Sequence, residues 1–127
     1  MRRVFALVVL CAVPSLSLAQ PPALSGKWSG YWASDTNGHT GPLHARFRQI
    51  DADTYKVTYR GRFAVVVPFM YTTTMDVVST GDGVALLNAE KRLGPFGTFR
   101  TTATASDGAF DANFSSRRDS GRFVLRR

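Results

Sequence analysis

The sequence is poor in the side chains that most catalytic and metal sites use. Its 127 residues include one cysteine, one glutamate and two histidines. One cysteine excludes an intrachain disulfide framework, and Glu90 alone offers no pair of glutamates for general acid–base catalysis. His39 and His44 have only Asp35 as a nearby acid, and no nucleophile-elbow, zinc-protease, phosphate-loop or dinucleotide motif occurs. We therefore expect a protein that is not an enzyme and that holds no metal and no cofactor.

The chain also lacks an apolar run long enough to cross a membrane as a helix. Its longest run, Val4 to Val13, has ten residues, whereas a transmembrane helix needs about 20. Two arginines precede this run and Ser17-Leu18-Ala19 follows it, which is the arrangement of a secretory signal peptide. We predict a signal peptide at residues 1–19, cleaved after Ala19, and a mature protein that is periplasmic or secreted and does not span the membrane.

Apolar and polar residues alternate along much of the remaining chain. The alternation is clear at residues 43–47, 55–59 and 110–114, and a period of two is typical of strands with one buried face. From Gly81 onward, turn-forming groups recur every 12 to 13 residues, a spacing that suits antiparallel hairpins and leaves no room for parallel crossovers. We predict eight strands, near residues 26–34, 41–50, 54–64, 67–79, 83–92, 97–105, 109–117 and 121–127.

Eight short sequential strands predict an all-β fold, an eight-stranded antiparallel up-and-down meander closed into a small barrel, with residues 20–127 as one domain. Closure removes the unpaired strand edges of an open sheet; a two-sheet sandwich is the alternative. Gly61 and the run 64–68 interrupt the alternation, which predicts a bulge or corner there. The residues expected inside are bulky enough to fill the barrel: Leu43, Ala45, Phe47, Val57, Tyr59, Phe63, Phe69, Tyr71, Met75, Phe99, Phe110 and Phe114.

The first and last predicted strands resemble those of a known family of barrels. The segment Leu24-Ser25-Gly26-Lys27-Trp28 resembles the G-x-W start of lipocalins, avidins and other calycin-type barrels, and Phe123-Val124-Leu125-Arg126 resembles their last strand. The resemblance implies that Trp28 closes the barrel floor and that Arg126, or Arg122 in another register, stacks on it through a cation–π contact. It also implies, as one alternative function, a carrier of a small apolar ligand.

The same start is similar to that of a second group, the periplasmic metalloprotease inhibitors. These are small eight-stranded barrels whose N-terminal arm enters the protease cleft, and the likeness lies in Ala23 to Trp28. The sequence departs from them because it lacks their cysteine pair. This resemblance implies another alternative function, the binding of a protease partner through the arm at residues 20–24.

Basic residues dominate the polar face of the second and third predicted strands. The chain has 16 Lys and Arg against nine Asp and Glu, a net charge of +7. If Ile50 pairs with Thr54 across a three-residue loop, the register places Arg48 opposite Lys56, with no acid on that face. Directly opposed like charges destabilise a sheet. The face is either simply solvated or a site for anions, whose candidate residues are His44, Arg46, Arg48, Lys56 and Arg60.

The chemistry of this face limits its possible partners. An anionic glycan, a lipid surface or an acidic protein would complement its charge. Nucleic acid is not expected, because Phe47, Tyr55 and Tyr59 point to the opposite face and so cannot stack on bases beside the cations. Our main functional prediction is an exported, non-catalytic binding module that uses this face.

An uninterrupted apolar run at residues 64–70 is the last feature of note. A barrel wall one layer thick cannot bury both faces of such a run. An exposed apolar patch is typical of self-association or of a partner site. If the run is exposed, we predict a homo-oligomer contact through Val65, Val67 and Phe69; if it is covered, the segment at residues 20–24 is the nearest one that could cover it.

Overall fold

The computed structural model describes residues 22–63 and 67–127, except for the side chains of Phe63 and Phe96. The predicted signal peptide at residues 1–19 and Val65 of the predicted self-association surface lie outside the described residues. Every predicted strand is present, with boundaries within two residues of those expected. The strands are β1 (Gly26–Ser34), β2 (Thr40–Asp51), β3 (Thr54–Phe63), β4 (Val67–Gly81), β5 (Val84–Arg92), β6 (Thr98–Ala105), β7 (Ala109–Ser115) and β8 (Ser120–Arg126).

The eight strands form a closed barrel in sequence order, and each pairs antiparallel with its neighbour. Closure is made by β1, which pairs with β2 on one side and with β8 on the other; Trp32 lies opposite Phe123 across this seam. The predicted up-and-down barrel is confirmed, and the sandwich alternative is wrong because the strands form one closed sheet. The part of the chain that the structure describes contains no helix long and apolar enough to cross a membrane.

Gly61 forms no bulge, and residues 64–66 of the predicted bulge or corner lie outside the described residues. The pairing of β3 with β4 runs without a shift from Thr54 opposite Asp76 to Phe63 opposite Val67. Gly61 instead marks a close approach, since a Cβ there would lie 2.6 Å from a Phe69 ring carbon. The register shifts are in other places, between Gln49 and Asp51 in β2 and between Val77 and Ser79 in β4.

One end of the barrel is closed by packed side chains. Trp28 and Leu24 are buried there, and the Trp28 indole Nε1 donates a hydrogen bond of 2.9 Å to the Leu24 carbonyl oxygen. The ring of Phe47 lies 5.7 Å from Trp28 and 5.1 Å from Phe110. Because Leu24 precedes β1, the segment entering the barrel forms part of this closed end.

The arginine that covers Trp28 is Arg127 and not Arg126. The Arg127 guanidinium carbon lies 4.4 Å from the centroid of the Trp28 ring. Arg126 follows the buried Leu125 in β8, so strand alternation turns it outward, where it forms a 3.2 Å ion pair with Asp111. Arg122 also points outward and is exposed. Arg127 lies beyond the last paired residue and folds back across the closed end.

Candidate functional site

The opposite, open end of the barrel contains a cavity of about 340 Å³. The expected inward residues whose side chains the structure describes do belong to the core or pack against it, and those nearest the open end border the cavity. The expectation of a filled interior therefore holds for the core cluster but not for the concave space at the open end. Aromatic side chains line most of the cavity, namely Trp32, Tyr59, Tyr71, Phe99, Phe114 and Phe123.

Five of these rings contact one another in a closed cycle, which we call the aromatic collar. Around the cycle, the centroids of neighbouring rings are 4.8 to 6.0 Å apart, within the range of favourable aromatic pairs. Each ring thus packs against its neighbours in the cycle. The collar consists of Tyr59, Tyr71, Phe99, Phe114 and Phe123.

The two tyrosines of the collar are uncharged at neutral pH. Burial raises the pKa of the Tyr59 hydroxyl, and the neighbouring Tyr71 raises it further. Burial also raises the pKa of Tyr71, although interaction with the Thr73 side chain acts in the opposite direction. The Tyr59 hydroxyl contacts the Met75 sulfur at 3.5 Å, while the Tyr71 oxygen is buried without a well-formed hydrogen bond. The collar is therefore an apolar and neutral wall.

Polar residues stand at the mouth of the cavity, on the loops that join strands at the open end. Asn37, His39 and Asp119 line it there. The loops on either side of the β1–β8 seam are tied together, because the Ser34 hydroxyl donates a 2.5 Å hydrogen bond to the Asp119 carboxylate. Lys91 places its ammonium 5.1 Å from the centroid of the Tyr71 ring. The cavity thus combines an aromatic wall with hydrogen-bonding groups and a cation near its opening.

The predicted register of the basic residues is confirmed. Arg48 lies opposite Lys56, Arg46 opposite Thr58 and His44 opposite Arg60. All of these cationic side chains are exposed. The residue pair next to the β2–β3 loop, however, is not the expected one.

Asp51 pairs with Thr54 at the end of this hairpin, and Ile50 stands at the register shift. The expectation that Ile50 pairs with Thr54 is therefore wrong. The loop is one residue shorter than expected, and the extra residue is accommodated in the strand as a bulge.

Two cations that the sequence did not identify extend this surface. Lys27 in β1 lies opposite Arg46, and Arg62 in β3 lies opposite Pro68. The alternation of β3 could have identified Arg62 as a member of this surface. The place of Lys27 beside Arg46 could not be predicted in this way, because it depends on the register of β1 against β2 across a loop. We call the whole set the basic face: Lys27, His44, Arg46, Arg48, Lys56, Arg60 and Arg62.

The basic face contains no acidic residue to balance it. In the described part of the chain, the salt bridges join Arg100 to Glu90 at 2.8 Å and Arg126 to Asp111 at 3.2 Å. Both lie on strands outside the basic face. Its cations therefore repel one another through solvent, and this repulsion weakens as salt screens it.

A surface groove of about 710 Å³ lies at the upper end of the basic face, next to the open rim. Arg60 and Arg62 line one part of it, and Met70 and Pro68 line another. Met70 is 67% exposed and Val67 is 40% exposed. The groove therefore joins cationic and apolar surface.

Phe69 connects this groove to the cavity, because it borders both. Its ring lies 6.4 Å from that of Trp32 and packs against the core, since alternation in β4 turns Phe69 inward and Met70 outward. Of the predicted self-association residues, Val67 is thus exposed, whereas Phe69 is largely committed to the barrel interior.

The remaining features that the sequence raised are a metal site and the N-terminal arm, of which residues 20 and 21 lie outside the described residues. No group of three His, Cys, Asp or Glu side chains in the described residues could hold a metal ion. In the described part of the predicted N-terminal arm, Pro22 and Leu24 are buried. Comparisons of the chain with protein-family models, curated proteins and solved structures found no match. The cavity and the basic face are therefore the two candidate binding surfaces of the described residues.

Proposed function

We propose that this protein is a non-catalytic, calycin-like binding module that holds a small, mostly apolar ligand at the open end of its barrel. The observation that carries the proposal is the aromatic collar around a cavity of about 340 Å³. Small-molecule sites are typically concave spaces of ~300–1,000 Å³ with apolar and aromatic walls and a few placed polar groups. The cavity meets each of these conditions.

The lining also indicates what kind of ligand it would accept. Aromatic walls favour an aromatic ring or an apolar chain, which replaces water at the collar. A charged group would lose its hydration inside, since Tyr59 and Tyr71 are neutral and offer no counter-charge. We therefore expect any polar or charged group of the ligand to stay at the mouth, near Asn37, His39 and Lys91.

The calycin-like character is supported by the closed end of the barrel. Trp28 is buried there under the guanidinium of Arg127, which is the arrangement implied by the family resemblance, one residue later than expected. The protease-inhibitor alternative has less support. Leu24 would have to leave its contact with Trp28 before the arm could enter a protease cleft.

Binding of the fluorescent dye anilinonaphthalene sulfonate tests the proposal. We expect the folded protein to enhance dye fluorescence, and Phe99→Glu to weaken binding at least about tenfold, because a carboxylate would have to be desolvated beside the dye. Leu86→Glu is the matched control, since Leu86 is 43% exposed on the outer wall. Phe99→Trp, which adds volume without charge, should also weaken binding.

Circular dichroism and thermal melting establish that each variant is folded. Equal dye binding by folded Phe99→Glu and Leu86→Glu would contradict the proposal. Unchanged binding by Phe99→Trp would place the dye elsewhere on the molecule.

The basic face supports a second candidate function, the binding of a polyanion. The specific observation is that two like charges face each other, Arg48 opposite Lys56, with Arg46 and Arg60 on the same face. A bound polyanion would replace repulsion between these cations by attraction to each of them. Anionic glycans, lipid surfaces and acidic proteins share this chemistry.

A further inference from the structure

The open rim of the barrel combines three features. It carries exposed apolar side chains, Met70 and Val67. It carries the upper end of the basic face, where Met70 lies opposite Arg60 and Pro68 lies opposite Arg62. It also surrounds the mouth of the cavity, which Phe69 connects to the outer groove.

We propose that this rim docks end-on to an anionic phospholipid surface, with the mouth of the cavity toward the bilayer. The inference deepens the two functions proposed above, because it names the partner of the basic face and the source of the ligand. An anionic membrane attracts basic residues, and apolar side chains enter its interface and lose contact with water. Met70 and Val67 would enter the interface while Arg60 and Arg62 face lipid headgroups.

The charges around the rest of the mouth fit this orientation. Lys91 and Arg92 end β5, and Arg117 and Arg118 lie in the loop before β8. They outnumber Asp35 and Asp119 on the open-end loops. The open end thus carries more cations than acids, which favours an end-on contact with anionic headgroups.

A soluble polyanion is a less complete fit to the same observations. A glycan or nucleotide chain would use the cations, but it would leave Met70 and Val67 in water. Exposed apolar residues also occur at other places, including Ile50 at 54% exposure at the closed end. Ile50 lies beside Asp51 and Asp53, whereas Met70 lies opposite Arg60, so exposed apolar surface adjoins cations without a neighbouring acid at the open rim.

Once docked in this way, the barrel would take its ligand from the membrane. A molecule that resides in the bilayer has an apolar body and a polar or anionic head. The apolar body fits the collar, and the head fits the cations and hydrogen-bonding groups at the mouth. The ligand class that follows is an amphipathic lipid or an aromatic amphiphile of small size.

Co-sedimentation with phosphatidylglycerol vesicles tests the docking surface, with phosphatidylcholine vesicles as the uncharged comparison. We expect binding to phosphatidylglycerol alone, and a partition coefficient about tenfold lower for Met70→Gln, because the glutamine amide resists transfer from water. Ile50→Gln is the matched control, an exposed apolar residue at the other end, and should bind as the unmodified protein does.

A second pair of variants tests the orientation. Arg62→Gln should lower the partition coefficient about fivefold, the effect of one cation beside an anionic membrane. Lys56→Gln should have a smaller effect, because six residues of extended strand place it roughly 20 Å further from the rim, beyond the screening length at physiological salt. Both changes remove one positive charge from the same strand.

The outcomes separate this inference from the proposals on which it rests. Equal losses for Met70→Gln and Ile50→Gln, or for Arg62→Gln and Lys56→Gln, would overturn end-on docking. Binding of heparin without binding of phosphatidylglycerol would also overturn it and would leave a soluble polyanion as the partner of the basic face. Dye binding in the cavity is measured without vesicles, so its presence or absence is independent of either result.

Discussion

At the scale of the single residue, Arg127 connects more of the structure than its neighbour Arg126. Its guanidinium covers Trp28 and donates hydrogen bonds to the carbonyl oxygens of Ser25 at 2.8 Å and Asp107 at 2.6 Å, and to that of Ala23. It therefore joins the segment before β1, the loop before β7 and the barrel floor. Arg126 has one exposed ion pair and a hydrogen bond to its neighbouring carbonyl.

We expect Arg127→Ala to lower the free energy of unfolding by about 1–2 kcal/mol, the combined effect of a partly exposed cation–π contact and charged hydrogen bonds. Arg126→Ala should lower it by less than about 0.5 kcal/mol, as is usual for exposed ion pairs. The two variants remove the same charge from adjacent positions. Urea denaturation measures both, and equal losses would contradict the assignment of Arg127 to the floor.

The same residues illustrate what the sequence could and could not predict. Trp28 follows from the G-x-W start, because the motif itself marks the floor position. The position of Arg127 could not be predicted from the sequence. Strand alternation ends with β8, and the direction of the next side chain depends on the adjacent loop. For the collar, alternation identified Tyr71 and Phe99 as inward residues. It did not indicate that their rings touch, because ring contacts depend on the stagger between strands.

At the scale of the element, the β1–β8 seam depends on close backbone contact. A Cβ at Gly30 would lie 1.8 Å from the Val124 carbonyl oxygen, much closer than any real contact. The obstacle is backbone and cannot rotate away, so the two strands would have to separate. This seam is what distinguishes the closed barrel from an open sheet.

We expect Gly30→Ala to lower the free energy of unfolding by about 1–3 kcal/mol, the usual effect of overpacking. Gly81→Ala is the matched control, because a Cβ there meets nothing within 4 Å, and its effect should be within about 0.5 kcal/mol. Thermal and urea unfolding measure the difference. A Gly30→Ala protein as stable as the Gly81→Ala protein would show that the seam can adjust.

The β2–β3 hairpin explains why some element-level predictions were correct for the wrong reason. The sequence predicted Arg48 opposite Lys56 from a three-residue loop closed by Ile50 and Thr54. The strand contains a register shift near Ile50, which compensates for the shorter loop and restores the same charge pairs. Periodicity specifies which face a residue occupies, but a bulge changes the count along only one strand and leaves no clear mark on the pattern.

At the scale of the whole molecule, the two ends of the barrel differ in a way that composition could not reveal. The same kind of bulky inward residue fills the closed end around Trp28 and surrounds an open cavity around Tyr59 and Phe99. Total side-chain volume predicted a filled interior. The actual arrangement depends on which rings pack against one another, and these pairs join strands distant in sequence, as Tyr59 and Phe123 do.

The charge distribution of the whole molecule leads to the last prediction. Because the cations of the basic face have no acidic partner, we expect heparin to raise the melting temperature at low ionic strength. The effect should fade above about 0.3 M salt, where the screening length falls to about 5 Å. Arg48→Glu should remove most of the response and slightly stabilise the free protein, since it creates an attractive pair with Lys56.

Arg122→Glu is the matched control: it makes the same change of charge at an exposed position opposite Ala33 and Asn113, away from the basic face. If both variants lose the response equally, heparin senses only the net charge of +7, and the basic face has no separate role.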